Sequence, residues 1–293
     1  MEKVSALKAW FLAARPKTLT ATLTPVITAS ALAYHDGCFQ WFPATVCLVF
    51  AVLSQIVANF ANDYFDFKKG SDRDDRLGPK RAVAEAWIKP ETMLRAVLLL
   101  LAVDLAIGLL LLPYGGMKLI VVGAVVAVFA LLYSGGPYPL AYHAWGDVCV
   151  FIFFGIVPVG FTYYVQAQQW PLPVWICAAA VGFVIINILV ANNYRDRDTD
   201  ARAGKKTSIV LFGERFGQLF YLFNGIIAVA VCQYFTFTGN LRAGLLPLLY
   251  LVFHVAAWRE MRAIGSGRGL IVSLEKSARN VLVFGGLLAL GLI

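Results

Sequence analysis

Long apolar runs recur along the whole chain, and each has about the length of a transmembrane helix. A helix rises 1.5 Å per residue, so a hydrocarbon core of roughly 30 Å requires about 20 apolar residues. The runs predict nine spans, at residues 18–34, 43–62, 92–112, 117–133, 147–166, 174–194, 216–237, 245–261 and from 278 to the end. We therefore expect one all-α integral membrane domain, residues 1–293, with its helices bundled around a central cavity.

The composition supports a membrane protein. Hydrophobic residues make up 60% of the 293 positions and charged residues only 14%, whereas soluble domains carry roughly a quarter charged residues. Mean hydropathy is +0.72. The five cysteines show no paired spacing and mostly lie in apolar runs, so they predict neither a disulfide framework nor a metal site.

Lysine and arginine are distributed unevenly between the two sides of the predicted bundle. Nearly all of the 25 lie before the first span or in loops that follow even-numbered spans; the exceptions are Arg95, Lys118 and Arg242. Positively charged loops remain in the cytoplasm. The N-terminus and the even-numbered loops are therefore predicted to be cytoplasmic, in the cytoplasmic (inner) membrane. This bias accounts for the net charge of +8 without nucleic acid as a partner.

The first 18 residues mix apolar and basic positions, which favours an amphipathic helix at the membrane interface. Residues 30–33 read SALA and resemble a signal-peptide cleavage site. Cleavage there is the alternative interpretation, but it would remove the basic segment 15–18.

Two polar segments follow apolar runs directly. Residues 59–81 read NFANDYFDFKKGSDRDDRLGPKR, and residues 192–206 read NNYRDRDTDARAGKK. They follow the second and sixth predicted spans, so both emerge on the same, cytoplasmic face. The segments 62–66 and 192–196 also align, 130 positions apart, as a pseudo-repeat. An even number of intervening spans makes such a repeat parallel. We therefore expect both segments to converge on one active site.

The spacing within these segments places oxygen ligands on helix faces. If the second span continues as a helix, Asn62 and Asp66 lie four residues apart; Asn192, Asp196 and Asp200 repeat that interval. Sites built from oxygen ligands without His or Cys suit Mg2+, which is often shared with substrate phosphates. The sequence therefore predicts a magnesium site.

Basic and aromatic residues near the two segments suggest the substrate. The basic residues can neutralise a diphosphate, although solvated loop charges are the simpler interpretation of any single one. A metal, a diphosphate and an apolar bundle together indicate a lipid diphosphate, whose prenyl cation aromatic faces can stabilise while apolar walls exclude water. The candidate aromatics are Tyr64, Tyr133, Tyr138 and Tyr194, each also compatible with an ordinary interfacial position.

At these residues the chain resembles the UbiA superfamily of intramembrane prenyltransferases. Members carry two Asp-rich motifs of the kinds NDxxDxxxD and DxxxD. Asn62, Asp63 and Asp66 match the first motif, and Asp196 and Asp200 match the second.

One departure points to a branch of the superfamily. Gly70 stands where the third aspartate of the first motif is usual, and Asp72 follows two positions later. This variant, with RLGPKRAV at 76–83, resembles the MenA branch, the 1,4-dihydroxy-2-naphthoate polyprenyltransferases. Further similar segments are 15–18, 133–140, 192–196 and 204–207. Residues 84–87 depart from the branch pattern.

The resemblance implies Mg2+-dependent transfer of a polyprenyl group from polyprenyl diphosphate to 1,4-dihydroxy-2-naphthoate. Diphosphate and CO2 are lost, and demethylmenaquinone is formed. Two Mg2+ ions would be held by Asn62, Asp63, Asp66, Asp72, Asn192, Asp196 and Asp200. The catalytic residues among these would be Asp63, Asp66, Asp196 and Asp200. Diphosphate oxygens would contact Lys68, Arg81, Lys205 and Lys206. The acceptor or prenyl pocket would include Arg15, Lys17, Tyr133, Tyr138 and Asn187.

Three alternatives remain open from the sequence. Asn187 is equally compatible with a hydrogen bond between packed helices. The chain could also be a related prenyltransferase that uses another acceptor, such as 4-hydroxybenzoate, homogentisate or haem. A secondary transporter built on a parallel repeat is a different class, but its acidic residues are expected near the bilayer midplane in broken helices.

Overall fold

The computed structural model describes residues 4–71 and 77–293, and this part of the chain forms helices and no strand. In the first half the α-helices are α1 (Ala6–Ala14), α2 (Thr20–His35), α3 (Trp41–Lys68), α4 (Pro90–Leu109), α5 (Leu112–Gly115), α6 (Lys118–Leu132), α7 (Gly146–Val150) and α8 (Val157–Ala167). In the second half they are α9 (Leu172–Arg202), α10 (Ser208–Phe212), α11 (Glu214–Phe237), α12 (Leu241–Leu245), α13 (Tyr250–Ile264) and α14 (Ile271–Leu292).

Each predicted span falls on a helix or on a run of joined helices. Within the described residues, six helices are long and apolar enough to cross a membrane: Trp41–Lys68, Pro90–Leu109, Gly146–Ala167, Leu172–Arg202, Glu214–Phe237 and Leu241–Ile264. Of the remaining predicted spans, α2 and α6 contain only 16 and 15 residues. The first turns of α14 carry charged side chains. The all-helical membrane fold is confirmed, with six rather than nine helices meeting these requirements.

One of the six spans contains a π-helical segment. Phe151–Ile156 joins α7 to α8, and this span crosses α9 at two glycines. A Cβ on Gly155 would lie 2.6 Å from the Cα of Gly182, so the two backbones touch. Such close approach fixes the position of the span against α9, and Phe153 and Phe154 of the segment line the cavity described next.

The helices form a ring around an elongated cavity. Neighbouring helices pack in chain order from α2 through α3, α4 and α6, and from α8 through α9 to α11, and α14 closes the ring against α2 and α9. The cavity has a volume of about 1190 Å³. Its wall on α3 extends from Cys47 to Asp66, a rise of about 28 Å along a helix. The cavity is therefore almost as long as a bilayer is thick.

Candidate active site

The two Asp-rich segments meet at one end of the cavity. Asp66 lies in the last turn of α3 and Asp200 in the last turn of α9. The Lys205 ammonium lies between them, with its Nζ 3.8 Å from Asp66 Oδ2 and 3.8 Å from Asp200 Oδ1. One cation thus joins both segments, and all three side chains line the cavity.

Glycines determine where the two long helices end. Gly70 and Gly204 have φ angles of +64° and +74°, in the left-handed region that glycine adopts at low cost and that commonly ends a helix. The turn at Gly70 explains why no third aspartate stands on that helix face. Asp72, predicted to supply it two positions later, lies outside the described residues.

Tyr142 organises the contact between the two segments, although it is not among the residues predicted from the sequence. Its hydroxyl donates to Asp66 Oδ1 at 2.9 Å and lies 2.6 Å from Ser71 Oγ. The ammonium groups of Lys69 and Lys205 lie 4.9 and 4.7 Å from the centre of its ring. The available signal was its position three residues after the Gly-Gly-Pro-Tyr-Pro segment at 135–139. Tyr142 holds Asp66 in place while its ring faces two cations.

Arginines complete a basic cluster beside Asp66. Asn62 Oδ1 accepts hydrogen bonds from Arg81 Nη2 at 3.1 Å and from Arg15 Nη2 at 3.5 Å. Arg81 Nη2 also lies 3.8 Å from Asp66 Oδ2. With Lys205, these arginines place three cations around two helix-borne oxygen ligands, which is the charge pattern that binds a polyanion.

The turn at residues 15–18 is held against α3. Arg15 adopts a φ of +52°, and Asn59 Nδ2 donates to the Ala14 carbonyl at 2.9 Å. Lys17, on the same turn, lines the cavity and pairs with Glu275 at 2.5 Å. Both predicted basic residues of this turn therefore reach the cavity.

Asp63 has a different environment from the other predicted ligands. Its two carboxylate oxygens accept the backbone N–H groups of Ala82 and Val83, at 3.0 and 3.2 Å. The residue lines the cavity but is only 1% exposed. Asp63 thus fixes the loop that begins with Arg81, and its role as a metal ligand stays a prediction.

In the second segment a buried arginine holds the ligands. Arg195 is 1% exposed, and its Nε and Nη2 donate to Asp196 at 2.8 and 2.6 Å. Nη2 also donates to Asn192 Oδ1 at 2.8 Å. Arg195 therefore orients Asn192 and Asp196 and neutralises the carboxylate. No role for Arg195 was predicted from its position in the motif.

Among the predicted site residues that the structure describes, four do not line the cavity. Lys68 and Lys206 are exposed, since they lie where each polar segment leaves its helix, and Tyr138 is exposed as well. Asn187 accepts a hydrogen bond from Asn224 at 3.3 Å, which joins α9 to α11. Asn187 thus fits the helix-packing alternative.

Tyr133 is the one member of the four proposed tyrosines that lines the cavity. Tyr64 packs edge-on against Phe65, with 5.1 Å between ring centres. Tyr194 is buried, and its hydroxyl donates to Glu214 at 2.6 Å. These two tyrosines belong to the packing around the site.

We predict that Asp63→Ala loosens the loop at residues 82–88. The substitution leaves two buried amides without acceptors, at about 1–3 kcal/mol for each unsatisfied group. Hydrogen exchange at Ala82 and Val83 should accelerate at least tenfold, measured by mass spectrometry on peptides that cover the loop. Asp198→Ala is the matched control, because Asp198 is exposed. Unchanged protection of the two amides in Asp63→Ala would contradict the assigned role.

The sequence is similar to known prenyltransferases. The UbiA prenyltransferase family matches residues 22–269. A 1,4-dihydroxy-2-naphthoate octaprenyltransferase of Mycobacterium tuberculosis is 36% identical over 94% of this chain and 93% of its own length. The protein of that name from Escherichia coli is 34% identical over 73% of this chain and 71% of its own length.

Solved structures show the same fold. A UbiA homolog from Archaeoglobus fulgidus bound to GPP and Mg2+ aligns with a TM-score of 0.69 at 15% identity, covering 96% of this chain and 99% of its own. The apo structure of a UbiA homolog from Aeropyrum pernix aligns with a TM-score of 0.70 at 16% identity, covering 99% and 100%. Together with the helix composition, these similarities identify an integral membrane protein. The chain belongs to the UbiA prenyltransferase family.

Proposed function

We propose that this protein transfers a polyprenyl group from polyprenyl diphosphate to 1,4-dihydroxy-2-naphthoate, releasing diphosphate and CO2. Both ring hydroxyls are retained, so the product is the reduced form, demethylmenaquinol, and its conversion to demethylmenaquinone is a separate oxidation. One observation carries the proposal: Lys205 lies between Asp66 and Asp200 at the polar end of a long apolar cavity. That arrangement suits a substrate with a diphosphate head and an isoprenoid tail. Relatives named 1,4-dihydroxy-2-naphthoate octaprenyltransferase support this acceptor.

The donor set at the polar end fits Mg2+. Asn62, Asp66, Asn192, Asp196 and Asp200 all line this end of the cavity, and all are oxygen ligands. No three His, Cys, Asp or Glu side chains among the described residues come together as a metal site. Protein ligands alone are therefore few, which suits an ion that keeps waters and shares substrate phosphates.

We further propose that two Mg2+ ions act here, one near each segment, held by these residues directly or through water. Asp72 would contribute from outside the described part of the chain. Held there, Mg2+ would supply positive charge that offsets the diphosphate and makes it a better leaving group. Arg195 would keep Asn192 and Asp196 oriented towards the cavity for this role.

The basic cluster holds the diphosphate. Arg15, Arg81 and Lys205 line the cavity beside Asp66, where their N–H groups can donate to phosphoryl oxygens. When the bond between the prenyl C1 and the bridging oxygen breaks, its electron pair goes to the diphosphate. Fixed cations stabilise that charge without reorganisation, because they are already oriented by their contacts with Asn62 and the carboxylates.

The apolar cavity accommodates the prenyl chain and excludes water. Phe129 and Phe153 pack with ring centres 4.4 Å apart, and both line the cavity with Phe154 and Phe161. Aromatic faces stabilise a neighbouring cation, and the absence of bulk water protects an allylic cation from hydrolysis. The acceptor carbon then captures C1, so the new carbon–carbon bond replaces the carbon–oxygen bond.

In the membrane, α2, α6 and α14 would complete the six long helices to nine spans. The N-terminus and the ends of α3 and α9 would face the cytoplasm, because loops on that side carry nearly all lysines and arginines. The whole chain would form one domain of the cytoplasmic membrane, with residues 59–81 and 192–206 as its pseudo-repeat.

Substituting one predicted metal ligand in either Asp-rich segment should abolish prenyl transfer. Asp66→Ala and Asp196→Ala each remove an oxygen ligand, and the loss of one such group in a phosphate-binding site costs at least about a hundredfold in rate. Turnover is measured as Mg2+-dependent release of diphosphate from a prenyl donor. Asp198→Ala, on the same helix but exposed, should retain activity. Normal turnover in both ligand variants would exclude the metal assignment.

Tyr142→Phe should lower kcat/KM for the donor about 10- to 100-fold. The variant keeps the ring below Lys69 and Lys205 but removes the hydrogen bond to a charged group, worth about 1.5–3 kcal/mol. Tyr142→Leu, which also loses the ring, should be slower still. Tyr34→Phe is a control, since Tyr34 is exposed outside the cavity. Equal kcat/KM in Tyr142→Phe and the wild type would show that the hydroxyl does not position Asp66.

The acceptor is tested by competition. Purified protein is incubated with a polyprenyl diphosphate, Mg2+ and equal concentrations of 1,4-dihydroxy-2-naphthoate, 4-hydroxybenzoate and homogentisate. The naphthoate should be the acceptor that is prenylated, as measured by chromatographic separation of the products. Turnover of 4-hydroxybenzoate but not of the naphthoate would exclude the proposed acceptor while retaining prenyl transfer. A protein that released no diphosphate with any acceptor would exclude the enzyme class.

A further inference from the structure

A second polar patch lies deeper in the cavity, away from the Asp-rich helix ends. Asp147, in the first turn of α7, is 9% exposed and lines the cavity. Its Oδ1 is buried without a hydrogen-bond partner among the described residues. Ser208, at the start of α10, lies beside this carboxylate and is 6% exposed. Its Oγ is close enough to interact with the Asp147 carboxylate, but the two make no well-formed hydrogen bond within the described part of the chain. The patch can therefore still form hydrogen bonds with a ligand.

The depth of the patch follows from its neighbours. A Cβ on Gly146 would lie 3.3 Å from Leu189 Cδ2 and 3.4 Å from Tyr133 Oη, so α7 begins at the level of Leu189. Leu189 precedes Asp196 by seven residues, which is about 10 Å along α9. Tyr133 lies within electrostatic range of both Asp147 and Asp66. The patch is therefore next to the diphosphate end but separate from it.

The surroundings of the patch are apolar. Leu189 and Ile185 of α9, Val150 of α7 and Phe154 of the π-helical segment line the cavity near it. Asp147, Ser208 and the nearby hydroxyl of Tyr133 supply the polar atoms. Such a site, with apolar walls and few polar groups, is typical for a small ligand whose orientation is fixed by those groups.

The chemistry of the two proposed substrates decides which one this patch can accept. A buried acceptor without a donor is costly, and a buried carboxylate costs more. The negatively charged diphosphate would repel the Asp147 carboxylate, and the prenyl chain has no hydrogen-bond donor. An aromatic acceptor with ring hydroxyls offers both a flat apolar body and O–H donors.

We infer that Asp147 and Ser208 form the acceptor subsite, with Asp147 accepting the hydrogen bond of the ring hydroxyl next to the carboxyl-bearing carbon. This assignment rests on the proposed function. As that ring carbon forms its bond to the prenyl C1 and the C1–oxygen bond breaks, the hydroxyl proton passes to Asp147 and the ring oxygen becomes a carbonyl. Loss of CO2 leaves its bonding electrons in the ring, and Asp147 returns the proton to the oxygen.

Another buried aspartate provides a matched control. Asp104 on α4 is 2% exposed and accepts a hydrogen bond from Ser54, but it does not line the cavity. Asp104→Asn therefore changes a membrane-buried carboxylate in the same way as Asp147→Asn without changing the proposed subsite.

The experiment measures acceptor and donor constants separately in purified protein. Asp147→Asn should raise the KM for 1,4-dihydroxy-2-naphthoate about 10- to 100-fold, as expected for the loss of a hydrogen bond to a charged group, with the donor KM unchanged. Ser208→Ala should raise the acceptor KM about 2- to 10-fold. Asp104→Asn should change neither constant. Ser208→Ala also tests the subsite if Asp147→Asn does not fold.

Inhibitor analogues give a second measurement that a purely structural role would not alter. The wild type should bind 1-hydroxy-2-naphthoate more tightly than 2-naphthoate, and Asp147→Asn should lose that preference. An unchanged preference, or a change in the donor KM alone, would overturn the subsite. If the wild type prenylates 4-hydroxybenzoate instead of the naphthoate, the proposed acceptor is wrong but the subsite is not yet excluded. The effect of Asp147→Asn on the KM for 4-hydroxybenzoate then tests the subsite in the same way.

Discussion

The site depends on the ion pairing of Lys205 with carboxylates from two different helices. Asp66 and Asp200 stand at the ends of long apolar helices, where unpaired negative charges are costly. A single ammonium 3.8 Å from each offsets that cost and draws the ends of α3 and α9 together. These ion pairs thus fix the polar end of the cavity, although most of its walls are apolar.

Most of the charge around this contact is already paired within the protein. Arg195 binds Asp196 in two places, and Arg81 lies between Asn62 and Asp66. Such pairs keep each group in a fixed geometry, so an incoming polyanion and its metal ions meet oriented partners. Preorganised charge of this kind stabilises a leaving diphosphate more effectively than mobile surface residues do.

The two proposed substrates require opposite environments, and the cavity offers these environments at different depths. Cations and oxygen ligands collect at the helix ends, whereas Asp147 and Ser208 lie about two helical turns deeper against apolar walls. Tyr133 lies between the two regions. A donor held at the opening and an acceptor held below it would meet at the carbon bonded to the diphosphate, with the prenyl chain filling the remaining apolar length.

The sequence by itself determined the helices and the meeting of the two Asp-rich segments, because hydrophobic length and the parity of spans are properties of the chain. Only the tertiary structure decided which side chains enter the cavity. Asp63 accepts hydrogen bonds from loop amides, and Asn187 is hydrogen-bonded to a neighbouring helix. Tyr142 and Asp147 line the cavity, although no sequence motif indicates either of them. These outcomes depend on how loops and helices distant in sequence pack against one another, which local spacing does not encode.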